Sequence, residues 1–331
     1  MPQTPRRQAL TPEALQMMDT IARSGSFAAA ARELGRVPSA LTYSVRQLED
    51  ALDVLLFDRR SGQAKLTAAG EELLNEGRRL LAEMDAVANR VRRVATGWES
   101  ELTLALDTAL SRVTTFELIE AFYAQRGPDG EPPGTRLRVR GEVMTGLWET
   151  LLDGRADLAI GVSMQHAGSH PDIQVRPIGD IEFIFACAPH HPLAQAELPL
   201  ADQDIQRHRA VAVADSAQRL TPSTVNLLSG QDVLTVPSMA AKIEALLRCL
   251  GCGFVPEPMA REHVAAGRLL ALPVQRARVP ASFGYAWRQI GGDKQAARQG
   301  LALQWWLGQL EREATRHALI ERHGAQWLTM E

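Results

Sequence analysis

Ser39, Thr42, Tyr43 and Arg46 follow one another at intervals of three, one and three, which places them on one helical face. Hydroxyls bond to base edges or phosphate, and a guanidinium reaches guanine or phosphate, so this face is suited to reading DNA. Downstream, the stretch 55–66 reads as two short apolar-bearing strands around Ser61-Gly62, carrying Arg59, Arg60 and Lys65. Such a wing sets cations against phosphates or into a narrow minor groove. Ser26 and Pro38, at the heads of two helices, complete the candidate DNA-contacting set. The competing reading is a solvated basic hairpin beside an ordinary amphipathic helix; composition and spacing both favour docking. No Gly-x-Ser-x-Gly run and no zinc-protease histidine pair is present, so no catalytic motif competes.

Three helices must position that face. Thr11-Pro12-Glu13 predicts a helix start: Thr11 caps, Pro12 suits the first turn and Glu13 complements the positive dipole end. Leu15, Met18, Ile21 and Ala22 recur at helical spacing as far as Ser24-Gly25. Ser26 caps a second helix, Phe27 to Leu34, whose run Ala28 to Ala31 admits a close neighbour before Gly35 breaks it. A third helix runs to about Leu52, with Leu41, Val45, Leu48 and Leu52 inside. Two helices joined by a short Gly-containing turn, the second with a polar outer face, make a helix-turn-helix.

The order Gly25-Ser26-Phe27-Ala28-Ala29-Ala30-Ala31-Arg32-Glu33-Leu34, Leu48-Glu49, Leu56-Phe57-Asp58-Arg59 and Leu66-Thr67-Ala68-Ala69-Gly70 resembles the LysR-type transcriptional regulators. The chain departs from that family at the head of the recognition helix. Val37-Pro38-Ser39-Ala40 stands where the family usually has Ser-Gln-Pro-Ala, and Tyr43 where an arginine is common. The family's base contacts are therefore not carried over at Val37, Pro38 and Tyr43, and a different operator preference is expected.

A length of 331 residues allows two or three domains, and 45% hydrophobic residues supply their cores. The net charge of −3 is uneven: residues 1–70 hold nine Arg or Lys against seven Asp or Glu, which leaves −5 for the rest. Non-specific DNA affinity should be modest and salt-sensitive. The polar start, Met1 to Gln8, has no apolar run and does not read as a signal peptide. No stretch approaches a membrane span, and three cysteines make no disulfide framework, so a cytoplasmic protein is expected.

From Thr67 to about Ala95 one long helix is predicted. Leu73, Gly77, Leu80, Met84, Val87, Val91 and Val94 alternate by four and three, the spacing of a coiled-coil seam. Glu71, Glu72 and Glu76 come early and Arg90, Arg92 and Arg93 late, in agreement with the helix dipole. A narrow seam of this length favours a dimerising linker over packing on its own domain, although Gly77 leaves a gap in it.

Beyond Gly97, strands and helices alternate. Leu102 to Leu106, Arg136 to Val143 and Asp157 to Gly161 read as strands between the helices Thr115 to Gln125 and Leu147 to Leu152, implying a largely parallel sheet. A second series follows: Glu182 to Ala188, Val211 to Ala214, Leu234 to Val236, helix Ala240 to Leu250, and Phe254-Val255. Ser282 to Arg288 reads as a strand and Leu301 to Leu310 as a helix. Gly154-Arg155-Ala156-Asp157-Leu158-Ala159-Ile160, Pro189-His190-His191-Pro192-Leu193-Ala194 and Gly251-Cys252-Gly253-Phe254-Val255-Pro256 extend the LysR resemblance to about Leu310. It implies an α/β chain with an all-α, winged N-terminal domain: winged helix-turn-helix (1–66), linker helix (67–97) and a two-lobed, periplasmic-binding-protein-like effector domain (98–310). Lobe I is expected over 98–161 and 278–310 and lobe II over 162–277; the tail 311–331 is helical and charged, with no assigned role.

In a cleft domain, ligand groups come from strand ends and helix starts between the lobes. That logic selects Thr108, Ser111, Thr145, Ser163, Asp215 and Ser238, each of which could equally be a plain helix cap. Asp215 would disfavour a carboxylate ligand if it lined the cleft. Cys249 and Cys252 supply at most two metal ligands, and redox sensing by them is a minor alternative. His190-His191 reads as a turn at a strand end. No cofactor is implied. The resemblance implies a dimer of dimers on double-stranded promoter DNA, a small-molecule effector, and RNA polymerase as a further partner. The rivals are a two-lobed binder or enzyme with a dimerising appendage, and a helix-turn-helix that meets protein instead of DNA.

Overall fold

The computed structural model describes residues 9–58, 64–126, 130, 132–166, 168, 170–276, 280–289 and 299–324. They form two compact units, 1–91 and 92–331.

In the first unit, α1 (Pro12–Ser24) starts where Thr11 accepts a hydrogen bond from the Ala14 N–H, and ends at Gly25 in the left-handed region, φ 70°. Ser26 accepts from Ala29 to cap α2 (Phe27–Glu33). The inner face of α3 (Pro38–Leu52), Leu41, Val45 and Leu48, closes a core with Met18, Ile21, Ala30 and Ala31. Glu49 sits inside this core, its Oε1 accepting from the N–H groups of Leu56 at 2.9 Å and Phe57 at 3.3 Å. A buried carboxylate thus fixes the entry into β1 (Phe57–Asp58), which pairs antiparallel with β2 (Lys65–Leu66). The tip of this wing, including Arg59 and Arg60, lies outside the described residues.

The linker α4 (Ala68–Thr96) is capped by Thr67, whose Oγ1 accepts from the Gly70 N–H at 3.1 Å. Gly77 is no defect in its seam. A Cβ there would lie 2.9 Å from Leu15 Cδ2, so the missing side chain lets α4 approach α1. Leu73 and Leu74 also pack inward. The seam that the spacing begins at Leu73 therefore starts in the structure at Leu80: Leu80, Met84, Val87 and Val91 stay 46–68% exposed. The Val94 side chain lies outside the described residues.

The second unit opens with β3 (Glu101–Asp107), α5 (Arg112–Tyr123), β4 (Arg136–Glu142), α6 (Thr145–Leu152), β5 (Leu158–Ser163) and β6 (Ile173–Ile181). The chain then crosses into a second body built from β7 (Phe183–Cys187), α7 (Asp202–Gln206), β8 (Ala210–Val213), β9 (Val233–Val236), α8 (Met239–Leu247), β10 (Gly253–Pro256), α9 (Glu257–Ala265) and β11 (Leu270–Leu272). It returns through β12 (Ala281–Arg288), α10 (Leu301–Leu310) and α11 (Glu313–Glu321). Lobe I carries the sheet β4-β3-β5-β12-β6, in which β3, β4 and β5 are parallel while β12 runs antiparallel to both neighbours. In lobe II, β10-β7-β11 is antiparallel and β8-β9 parallel. The three strands expected to lie parallel do so, and only β12 runs against them. One expectation is corrected: β6 pairs within the lobe I sheet, so lobe II begins near Phe183 and not at 162.

Leu102, Leu104 and Leu106 of β3 point into the main core with Phe122 and Trp306, while Ala105 faces α6 through Leu147 and Leu151. The tail is part of that core: Leu319 and Ile320 are buried, and the Leu319 carbonyl accepts from the Ser111 N–H at 2.8 Å. α10 starts on Glu99, whose carboxylate accepts from Ala302 at 3.0 Å and Leu303 at 3.3 Å. Gly300 has an ordinary φ of −72°, yet a Cβ on it would stand 2.1 Å from Glu99 Cδ. Gly300→Ala should therefore push Glu99 off its cap and cost about 2 kcal/mol through the orphaned donors. Gly308→Ala, with nothing within 4 Å, should be neutral or mildly stabilising. Thermal melts of the two variants check this, and equal melting temperatures would refute it.

Candidate DNA interface and effector cleft

Ser39 and Arg46 are exposed on α3, Tyr43 is 63% exposed, and Arg46 makes no ion pair among the described residues. Thr42 is half-buried and donates its hydroxyl proton to the Pro38 carbonyl at 3.0 Å, so outward it offers only acceptor capacity. Gln47 Nε2 donates to the Tyr43 hydroxyl at 2.9 Å, which orients the phenol and leaves its proton to give away. Val37 holds the N-cap of α3 without a side-chain hydrogen bond, and Pro38 is exposed in the first turn. That end of the helix is uncapped and positive, as a phosphate contact requires. Ser26 is committed to capping α2, so its side chain positions the motif. Lys65 is exposed on β2. Arg36, directly before α3, is exposed too; lying in a turn, it had no periodicity to mark it. Arg23 and Arg78 are spent on ion pairs with Glu33 and Asp19.

In the second unit, the C-terminal ends of β3 and β4 meet the end of β8 and the start of α8. Thr108 Oγ1 accepts from the Met239 N–H at 3.4 Å, next to Ser238, which caps α8 through Ala241 at 3.2 Å. Thr145 does not cap α6 with its hydroxyl, as its position suggested: the N-cap residue is Met144, at φ 51° and ψ −117°, and it makes no side-chain bond. The cap comes from the other lobe. Asp215 accepts from the N–H groups of Thr145 and Gly146, both at 3.1 Å, and from Ala217 at 2.9 Å and Ser223 at 2.7 Å. Burial alone would raise the Asp215 pKa, but these donors prevail and hold it below the ordinary range.

Ser216 Oγ donates to Glu142 at 2.7 Å and accepts from the Val143 N–H at 2.9 Å. Glu149, on α6, accepts from three successive N–H groups, Gln218 at 2.9 Å, Arg219 at 2.7 Å and Leu220 at 3.0 Å, and from Arg155 at 3.1 Å. Residues 215–223 of lobe II thus form a strap bound to lobe I. Beside it, burial pushes the Asp107 carboxyl up to about 6 against N–H donors from Ala109 and Met144, and the Asp215 charge adds to the push.

Of the six expected cleft residues, Thr108, Thr145, Asp215 and Ser238 come to the facing ends of the lobes. Ser111 does not: it is fully buried, caps α5 through Thr114 and bonds the Arg322 carbonyl of the tail. Ser163 closes β5 and accepts from Gln165 at 3.4 Å, with no hydrogen bond to the strap among the described residues. Asp107, Glu142, Glu149, Ser216 and Ser223 went unrecognised. Asp107 directly precedes Thr108 at a strand end, and that position was the available signal.

Two of the three thiols, Cys187 and Cys252, are buried and poorly suited to act as nucleophiles, while Cys249 is half-buried. Burial pushes Cys187 up to about 11 and Cys252 to about 12, far from the thiolate range that redox sensing needs. His191 Nδ1 accepts from the Leu193 N–H at 3.2 Å, making it a turn cap. Among the described residues no helix is long and apolar enough to cross a membrane.

Residues 12–71 match the bacterial regulatory helix-turn-helix of the lysR family, and residues 95–314 match the LysR substrate binding domain. The probable HTH-type transcriptional regulator YhaJ of Escherichia coli K12 is 41% identical over 264 residues, 80% of this chain and 86% of that protein. YeeY of the same strain, an uncharacterized HTH-type transcriptional regulator, is 36% identical over 89% of this chain and 91% of its own. The solved LysR-family regulator CbnR shares the fold, with a TM-score of 0.56 and 19% identity over 92% of this chain and 99% of that one. A second CbnR structure, in complex with its target DNA, gives 0.53 and 18% over 89% and 98%. With both of its domains matched in order and relatives above 30% identity over most of their length, this chain belongs to the LysR family of DNA-binding, effector-responsive transcriptional regulators.

Proposed function

We propose that this chain acts in the cytoplasm as a homo-oligomer that grips promoter DNA with α3 and the wing. A small molecule held between the sensor lobes switches it, and it works through RNA polymerase without catalysing a reaction itself. The observation that carries the DNA half is the exposed outer face of α3: Ser39, Tyr43 and Arg46 project from it, and Tyr43, oriented by Gln47, keeps its hydroxyl proton to donate. The target-DNA complex of CbnR, a protein of the same fold, supports the assignment. The sensor half rests on strand ends and helix starts converging between two lobes, where ligands of such sheets bind. The exposed apolar stripe of α4 supports pairing of two chains, and two such pairs would make a dimer of dimers. A ligand that favours one lobe arrangement would change the spacing of the DNA-binding heads and hence the bend of the operator.

Footprinting of genomic fragments with the purified chain tests the reading. Arg46→Ala should weaken binding to a protected promoter site by roughly ten-fold or more, the worth of a guanine or phosphate contact. Sequence-selective protection that survives the substitution would assign recognition to a different surface.

A further inference from the structure

The first turn of α6 presents two N–H groups, Thr145 and Gly146, toward lobe II, and a carboxylate already sits on them. It is the chain's own. Asp215 fills the place with both oxygens and adds the N–H groups of Ala217 and Ser223, so four donors converge on one side chain. The local backbone is shaped for this occupant. Met144 turns at positive φ immediately before the donors, a conformation that non-glycine residues rarely adopt. A Cβ on Gly146 would lie 1.8 Å from Ser216 Oγ, so the strap closes only over a glycine. Just beyond Asp215, Ser216 bonds Glu142 and the N–H groups of Gln218, Arg219 and Leu220 bond Glu149, so lobe I holds the strap at further points.

We infer that Asp215 determines ligand specificity: it occupies the anion position at the head of α6 with an internal carboxylate and so excludes free carboxylates from the cleft. The inference rests on the cleft being the effector site. An incoming carboxylate would find the α6 donors taken, and Asp107 and Glu142 beside them. The basic groups around the strap are already paired: Arg140 with Glu142 at 3.3 Å, Arg155 with Glu149 at 3.1 Å and Arg219 with Asp153 at 3.2 Å. The class that fits is a neutral or cationic molecule bringing its own O–H or N–H donors, such as an amine or a polyhydroxylated ring without an acid group.

Chemical rescue tests this. Asp215→Ala empties the position while leaving Thr145 and Gly146 in place, so acetate or formate should bind the variant and not the wild type. Thermal melts of both full-length proteins would be followed as acetate replaces chloride at constant ionic strength. Acetate should restore at least half of the melting temperature lost by the variant, binding it at least ten-fold more tightly than the wild type. A variant that neither acetate nor formate stabilises would overturn the assignment, as would a wild type that acetate stabilises equally. Should the alanine variant fail to fold, the wild-type titration still decides: no stabilisation by acetate or benzoate is expected, and a rise in melting temperature sinks the proposal. The readout uses neither operator nor effector. A promoter unresponsive to every small molecule would therefore count against the effector reading alone.

Discussion

Glu149→Ala should release the strap and lower the stability of the sensor unit by about 3 kcal/mol. The substitution removes charge-assisted bonds and leaves their donors unpaired in a buried place. Glu149 is 3% exposed and holds three consecutive backbone N–H groups that, without it, have no other acceptor among the described residues. For a unit of this size the loss corresponds to a drop of roughly 6–12 °C in melting temperature. Glu149→Gln keeps an acceptor oxygen but not the charge, so it should fall between wild type and alanine. Amide hydrogen exchange distinguishes a local release from general loosening. Gln218, Arg219 and Leu220 should exchange markedly faster in Glu149→Ala, while Leu104 and Ile160 in the lobe I sheet keep their relative protection. Unchanged protection at those three amides would show that the strap is held by something else.

The same variant has a predictable pH dependence. Burial pushes the Glu149 carboxyl upward, but the three N–H donors and Arg155 outweigh it and leave the pKa below its ordinary value of 4.5. A carboxyl depressed in the native state stabilises the fold above its unfolded pKa, and loses that contribution as pH falls through the folded one. The gap between wild type and Glu149→Ala should therefore be full above pH 4.5 and close on acidification below it. Asp107 works in the opposite sense. Pushed up to about 6, it favours the fold most below its unfolded value of 3.8, and that contribution is lost as pH rises through 6. Subtracting the variant's curve from the wild type's removes the Asp107 part, which both share.

The helix-turn-helix was almost wholly legible because its signals are local. Thr11, Ser26 and Gly25 act within three or four residues of themselves, and the structure places each at the expected cap. The sensor unit was legible as strands and helices and, through the β-α-β-α-β order, as the parallel neighbours β3, β4 and β5; the antiparallel return of β12 was not, since a strand's own pattern does not record its direction. β6 escaped altogether: Arg176, Pro177, Gly179 and Asp180 break any β pattern, and an edge strand next to a register shift at Phe283/Gly284 tolerates them. The cleft was legible only as positions. That Asp215 would cap α6 from 70 residues away depends on the lobes folding toward each other, which no local spacing encodes. Gly77 shows the same limit. As a member of a heptad it reads as a gap, and only the approach of Leu15 shows that it is a contact.

On the proposed pairing of two chains through α4, Met84→Glu should prevent that pairing and weaken binding to a two-half-site operator by at least about 100-fold. Once Gly77 is assigned to α1, the described seam positions beyond it, Leu80, Met84, Val87 and Val91, are 46–68% exposed and stand outside the core of the described residues. Spacings of four, three and four keep them on one narrow line, the geometry of a left-handed helix pair. An exposed apolar line of this kind on a charged helix is stabilised when a second copy covers it. At Met84 the substitution sets two glutamates at one level of a helix pair, where their desolvation and repulsion both oppose association. DNA affinity then falls because each head binds its half-site alone and the gain from linking two sites is lost. Sedimentation at matched concentration reads the first effect and titration of a labelled operator the second. Retention of the wild-type mass by Met84→Glu would place the oligomer contact outside α4, and would leave the exposed line for another partner. Gly77→Leu provides the contrast: its side chain would collide with Leu15 inside one chain, so it should lower the melting temperature of the DNA-binding unit without acting on the seam itself.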